Sequence, residues 1–536
     1  MTTRWWSRLG RAMPAIGRRR AVGLAGGAAV AQLSALAGPA GAQTSSGDPP
    51  SLLPGDTTAS APPEPAPPAP RRWPSYFGRK SVWGYFNQHS LAQGETFELM
   101  LSTGPGQPTT RGRVEFHRLG GSTAVAPPPV WTSPVISVFT QRNNVVAAAV
   151  GPNWQPTLEK IDTSNWPAGY YSADFVSDIS SPREGQPGSF RDAHIAQIIV
   201  RPARPRGEVL VKLGTNTYQA YNDWGGFSLY TGGRDEMARG PMVSFDRPSP
   251  PGFLEYEIFL VRWLEDLAHR DGFRVDYASN FDVHVDPSLL PAYRLVICGS
   301  HDEYWSKEEF DAFEQRIFRQ GSNTIFLGGN TAYWQVRYAD INRPPGGPDH
   351  GRQLICYKTV RDPIARRPGV TDPAMLVTAQ FREGNRRPET MLMGVGYQSW
   401  FGPGSGTAQR VPYSVATTEH PFFDGTGYQP GDRAADVVGY EWDNRDPSGN
   451  GARLWNKEHS RIAQLPLDKI QVLFRANPVD IWGRRGTAEA VYFESPAGAK
   501  VFSTGTIRWA WGLSRPGFIQ PGFLKFNENM VRQMLG

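Results

Sequence analysis

From residue 207 onward, short apolar runs alternate with segments whose apolar residues recur at helical spacing, and that alternation constrains the fold more than any other feature of the chain. Glu208–Leu213, Phe273–Ser279, Tyr293–Cys298 and Asn323–Leu327 read as strands. Between them, Glu255–Ala268 carries Ile258, Phe259, Val261, Leu264 and Leu267 on one helical face, and Lys307–Arg319 carries Phe310, Phe313, Ile317 and Phe318. Ala488–Glu494 and Lys500–Thr504 read as further strands, and Phe523–Leu535 as a closing helix. Strands alternating with helices predict an α/β domain built on a parallel sheet. Residues 345–460, rich in Gly, Pro and Arg, read as long excursions from it.

In an open α/β sheet, ligands bind beyond the carboxyl ends of the strands. The residues following each predicted strand are therefore the ones to inspect. They are Gly214–Gly226, Asn280–Asp286, Gly299–Trp305 and Gly328–Arg337, all rich in tyrosine, carboxylate, imidazole or amide groups. The densest titratable cluster is His301-Asp302-Glu303-Tyr304. Such groups ligate hard or borderline metals and also act as general acids and bases. The same residues could instead cap the helix from Lys307, with Asp302 or Glu303 as the cap. Asp282 and His284 point the same way on a segment read as extended, where they are more naturally structural. Asn330 follows paired glycines, a pattern that lets backbone approach a ligand. Tyr333 and Trp334 are equally readable as core aromatics.

Upstream, residues 76–203 show strand-like runs, among them Thr96–Leu101, Val114–Leu119 and Ile195–Val200, punctuated by Gly and Pro. No helical period is evident there, and an Ig-like β-sandwich is predicted. Residues 43–75 are dense in proline and read as an extended linker. Residues 1–42 hold Arg4, Arg8, Arg11, Arg18, Arg19 and Arg20, then an apolar run and Ala40-Gly41-Ala42. That is the layout of a cleavable export signal, and adjacent arginines before a mildly apolar core favour twin-arginine export. A periplasmic or secreted protein with no stable membrane span after leader removal is expected. The six leader arginines account for the formal net charge of +6. The rest is near neutrality, so no nucleic-acid partner is expected.

Several chemistries are disfavoured. There is no G-x-S-x-G elbow, no phosphate-binding P-loop and no H-E-x-x-H pair. Two cysteines cannot build a zinc cluster or a disulfide scaffold, and Cys298, at the end of an apolar run, reads as a buried small hydrophobe.

The strings Gly299–Ser306, Gly328–Arg337, Arg387–Glu389, Gly439–Asp443 and Gly505–Trp509 resemble, in that order, the C-terminal domain of the large-subunit-like proteins of N,N-dimethylformamidase. The resemblance covers about residues 207–536. It implies a core similar to the class I glutamine amidotransferase fold, without that class's cysteine nucleophile. It also implies a mononuclear Fe3+ site of two tyrosines and a glutamate. Tyr304 matches the tyrosine of the family's H-x-E-Y motif. Tyr256 lies in the neighbourhood of the second tyrosine, and Glu389, ahead of Glu383, matches best for the glutamate. The implied reaction is hydrolysis of an amide C–N bond in a small substrate. Glu303 or Glu441 would be the general base, and His301 or Asn330 would orient substrate or oxyanion. A small partner subunit or a homo-oligomer is compatible with the resemblance. A reading from a different class is an exported, non-catalytic binding protein holding a polar or carbohydrate ligand against Trp224, Trp305 and Trp334.

Overall fold

The computed structural model describes residues 82–104, 109–120, 127–144, 146–177, 192–230, 240–248, 254–340, 350–358, 361–370, 373–385, 387–402, 409–445 and 469–536. The leader at 1–42 and the proline-rich stretch at 43–75 lie outside the described residues.

Period-two burial organises the first unit. Phe97, Leu99 and Leu101 of the Thr96–Thr103 strand face one core with Val114 and Phe116 of Thr110–Arg118. A three-stranded sheet (Val82–Phe86, Thr96–Thr103, Leu158–Asp162) supplies one side of that core. The other side is a larger sheet, ordered Ser90–Ala92, Asp192–Arg201, Gly169–Ser177, Thr110–Arg118, Trp131–Thr132. Trp166 fills the space between the sheets, edge-on to Phe97 and tilted against Phe116. The arrangement is sandwich-like.

The second unit is a mixed α/β structure around an eight-stranded sheet. Its order is Val275–Ser279, Val209–Leu213, Leu295–Ser300, Asn323–Gly328, Lys500–Ser503, Ala488–Glu494, Gln471–Ala476, Ser414–Val415. The first five strands are parallel and the last three antiparallel. Side chains alternate between its faces, as strand geometry requires. Val209, Val211, Leu213, Leu295 and Ile297 pack with the helices Leu254–Asp271 and Pro521–Leu535. Leu210, Val296 and Cys298 pack instead with the helix Lys307–Phe318. Both cysteines are free and buried. The excursions between 345 and 460 contribute their own pairings: Gln353–Ile355 joins a four-stranded sheet, and Gly396–Trp400 pairs with Glu441–Asn444.

Two local expectations are corrected. Asp282 and His284 do not lie on an extended segment but on the short helix Asn280–Val285. There Asp282 completes a capping box with Ser279, a local solution that a carboxylate three residues after a serine favours. The helix from Lys307 is capped by Ser306, in a box with Glu309, not by Asp302 or Glu303. That leaves both acids available for longer-range partners.

The two units are bound by buried and half-buried polar contacts. Arg118 of the sandwich makes a two-pronged contact with Glu265 at 2.9 and 2.8 Å, the planar geometry that suits guanidinium to carboxylate. Ser90 and Arg201 both reach Asp282, and Tyr170 donates to Glu257 at 3.3 Å. Among the described residues no helix is long and apolar enough to cross a membrane.

Glu257 gives this seam a measurable pH dependence. Burial raises its carboxyl to about 8, against the hydrogen bonds it accepts from Tyr218 and the Gly214 amide. The folded protein thus holds a proton that the unfolded chain releases above the ordinary glutamate range, so stability falls as pH rises from about 4.5 towards 8. We expect Glu257→Gln to flatten that slope by up to one proton, about 1.4 kcal/mol per pH unit, in urea titrations between pH 5 and 8. An unchanged slope would mean that Glu257 is ionised in the fold.

Candidate active site

The strands Val209–Leu213 and Leu295–Ser300 are neighbours in the sheet, yet the chain leaves them towards opposite sides: the first connects to Val275–Ser279 at the edge, the second to Asn323–Gly328. That reversal is a topological switch point, where loops diverge and leave a crevice. The loops here are Gly214–Tyr221 and His301–Tyr304. They approach closely: a Cβ on Gly214 would sit 2.5 Å from the His301 carbonyl oxygen, and one on Gly328 only 1.9 Å from that of Ser300. Glycine is required at both by backbone proximity.

The run 301–303 sends Asp302 to one side and His301 and Glu303 to the other. Asp302 turns towards Lys212, whose fully buried ammonium lies 2.7 Å from Asp302 Oδ2 and 2.9 Å from Glu309 Oε1. Asn280 completes this side, donating to both carboxylates at 2.9 and 2.8 Å, and the Trp305 ring lies 3.9 Å from the ammonium.

On the other side, Glu303 is the centre of a phenol cluster. Its backbone N–H donates to Thr217 Oγ1 at 3.0 Å. Its Oε2 accepts from Tyr221 at 2.8 Å, and its Oε1 accepts from Tyr230. The two phenol oxygens are 3.3 Å apart and their rings pack at 4.4 Å. His301 Nε2 lies 3.3 Å from both Glu303 Oε2 and Glu441 Oε2, and Nδ1 lies 3.1 Å from the Tyr440 hydroxyl. Asn330, with φ of 55°, donates its side-chain amide to Glu441 Oε2 at 3.0 Å and its backbone N–H to Asp443 Oδ1 at 2.9 Å. Asn330 Oδ1 is buried with no hydrogen-bond partner among the described residues. Lys358, also at positive φ, donates to the Tyr304 hydroxyl at 2.7 Å and lies 3.0 Å from the Tyr230 ring centre.

All of these groups are buried, and burial governs their protonation. It pushes the phenols of Tyr221, Tyr230 and Tyr304 well above 10, reinforced by the charge of Glu303. Burial would also raise Glu303, but the His301 hydrogen bond and charge, then Lys358, hold it below the usual carboxylate range. Glu441 is raised, by burial first. His301 rises to about 9 because hydrogen bonds to Glu303 and Glu441 outweigh the cost of burying its charge.

The structure therefore gathers His301, Glu303, Asn330 and Glu441 into one chain of close imidazole–carboxylate contacts and an amide–carboxylate hydrogen bond. Of the residues expected as metal ligands, Tyr304 lies in the cluster, its ring edge-on to those of Tyr230 and Tyr221 at 6.2 and 6.5 Å and its hydroxyl beside that of Tyr230, whereas Tyr256 and Glu389 lie outside it. Tyr256 stacks on Trp511 at 5.7 Å and reaches only the ring of Tyr440. Glu389 is held in a two-pronged ion pair with Arg382. The residues missed were Tyr221, Tyr230, Tyr440 and Lys358. Tyr221 lay within an inspected strand-end string and Tyr440 within a family-like one, whereas Tyr230 and Lys358 carried no periodic or motif signal. Among the described residues no group of three His, Cys, Asp or Glu is placed to hold a metal. The oxygen set of Tyr221, Tyr230 and Glu303 is of another kind, and its two phenols and one carboxylate suit a hard trivalent ion.

A buried phenol, carboxylate and imidazole site at the switch point of an α/β sheet marks a protein whose chemistry resides in strand-end loops. The family described as N,N-dimethylformamidase beta subunit-like, C-terminal, matches residues 113–522. The chain belongs to that family, and the match begins inside the sandwich strand Thr110–Arg118, so it spans both units. An N,N-dimethylformamidase beta subunit of Alcaligenes sp is 24% identical over 343 residues, 60% of this chain and 42% of that protein. A beta subunit of the same name from Paracoccus aminophilus is 25% identical over 319 residues, 54% of this chain and 40% of that protein. The chain thus spans less than half the length of these relatives in each match.

Lys212 is expected to hold the whole loop. Lys212→Met leaves Asp302 and Glu309 buried without their cation and should cost about 3–5 kcal/mol, read from the urea midpoint. Adding Glu309→Gln should restore part of it. A loss below about 1 kcal/mol would show the ion pairs to be incidental.

Proposed function

We propose that the chain hydrolyses the C–N bond of a small linear amide, with Fe3+ held by Tyr221, Tyr230 and Glu303. The observation that carries this reading is the convergence of two phenols on one carboxylate that also touches His301, which in turn touches Glu441. This is the donor set the family resemblance implies, two tyrosines and a glutamate, met by residues other than Tyr304, Tyr256 and Glu389. An iron ion there would supply Lewis acidity towards an amide carbonyl. The high phenol values are those of protonated tyrosines, and a cation would reverse that preference.

The remaining roles belong to the chain. Glu441, raised by burial, is placed to take a proton from the attacking water, since a general base works best when its proton affinity approaches ambient pH. His301 holds Glu441 and Glu303 at equal distance and so fixes their spacing. The buried amide of Asn330, anchored through its backbone to Asp443, is placed to orient a substrate amide or donate to developing negative charge. The matched relatives are named as subunits, and a small partner subunit is part of the proposal, as is export on the arginine-rich leader.

The binding-protein reading loses its aromatic platform. Trp305 is buried beneath Lys212, Trp334 is buried beside Lys358, and Trp224 packs edge-on against Trp154 of the sandwich.

The test is metal content and turnover on the full chain purified without affinity metal. Near-stoichiometric iron by mass spectrometry with a visible tyrosinate-to-iron band is expected. Tyr230→Phe should abolish or shift the band and Tyr256→Phe should leave it. With N,N-dimethylformamide and related short amides, amine release should fall about 100-fold or more in Glu441→Gln. Metal-free, colourless protein without amine release would overturn the reading.

A further inference from the structure

A cavity of about 70 Å³ lies at the seam of the two units. Phe86, His89 and Ile199 line it from the sandwich, and Gln219, Arg247 and Arg352 from the α/β unit. Two arginines thus line one small space. Arg352 is compensated, with Nε 3.0 Å from Asp246 Oδ1. Arg247 is fully buried and donates only to main-chain carbonyls: Ser244 at 2.8 Å, Trp224 at 3.0 Å, Phe227 at 3.2 Å and Gln219 at 2.7 Å. Among the described residues no carboxylate contacts it, and Asp223, the acid that acts on it through space, is exposed.

The neighbouring groups leave that charge standing. His89 is held neutral, by burial first and by Arg352 second. Glu257, which reaches the seam through Tyr170 and Tyr218, keeps its proton because burial raises it to about 8. Burial likewise draws Arg247 down to about 9, the mark of a charge lacking a partner. Arg316 is another buried guanidinium held by carbonyls, of Leu290, Tyr293, Arg294 and Asn323. It differs in that it does not line this cavity.

We infer that the cavity is a binding site for a small monocarboxylate, its oxygens facing the Arg247 and Arg352 guanidiniums and its alkyl end against Phe86 and Ile199. The four carbonyls take four of the five Arg247 N–H groups, which leaves one to donate to a carboxylate oxygen in a charge-assisted bond. A space of about 70 Å³ is large enough for a small organic anion. One ligand charge matches the one cation of the cavity wall that no carboxylate contacts among the described residues. The site is separate from the phenol cluster but shares an element with it: Gln219 lies on the helix Thr215–Tyr221, whose last residue contacts Glu303.

Titration calorimetry and thermal unfolding of the full chain test this, using sodium acetate, sodium propionate, sodium chloride at equal ionic strength, and acetamide as the neutral isostere. Saturable acetate binding is expected, at least about tenfold tighter than acetamide or chloride, with a matching rise in Tm. Ala196→Met, which fills the cavity while leaving both arginines in place, should weaken acetate at least about tenfold without lowering the unliganded Tm. If Ala196→Met itself destabilises the fold, Ile199→Phe, three residues along the same strand, serves the same purpose. Acetate no better than chloride, or acetate binding that survives filling of the cavity, would overturn the inference.

Discussion

The Lys212 ammonium, buried between Asp302 and Glu309, is the interaction on which the rest of the site depends. It sits near the end of a central strand and ties together three elements: its own strand, the loop after Leu295–Ser300, and the first turn of Lys307–Phe318. Asn280, the first residue of the helix Asn280–Val285, adds a fourth element to the same network. A buried cation is tolerated only if its partners are fixed, and here Ser306 fixes Glu309 through the capping box. With Asp302 pinned to one side, the alternation of an extended chain turns His301 and Glu303 to the other. The carboxylate that neutralises Lys212 and the carboxylate that meets the phenols are thus set apart by one peptide unit.

What gathers on the second side is a closed polar cluster in a low-dielectric setting. Tyr221 and Tyr230 share Glu303, His301 bridges Glu303 to Glu441, and Asn330 holds Glu441. Such networks are rigid because every rearrangement leaves a buried polar group unmet. Asn330 Oδ1 departs from that rule, and a buried amide oxygen left without a donor points to a function beyond holding the fold. The positive φ at Asn330 and Lys358 is a further local cost carried at this site.

Much of the framework was legible in the sequence, because strand and helix announce themselves by hydrophobic period. The strand-end rule directed attention to His301, Glu303 and Asn330, and the family resemblance to Glu441. Lys212 was hidden because it stands inside the apolar run Val209–Leu213, where one charge reads as an interruption and its two partners lie about 90 residues away. Tyr230 was hidden because the stretch after Gly225 and Gly226 has no regular period. Tyr256 and Glu389 were put forward on motif neighbourhood, which does not encode that a stacked Trp511 and an Arg382 ion pair occupy them. The start of the helix at Lys307 was legible but its cap was not: Ser279 and Ser306 cap the two helices, while nearby acids look equally suited to the task.

The most direct measurement is anomalous diffraction at the iron edge from crystals of the full chain grown with ferric iron. The account predicts a peak within coordination distance of Tyr221, Tyr230 and Glu303 and no peak beside Tyr256 or Glu389. An ordered iron peak at Glu389 or Tyr256, with Tyr221 and Tyr230 still hydrogen-bonded to Glu303, would contradict it.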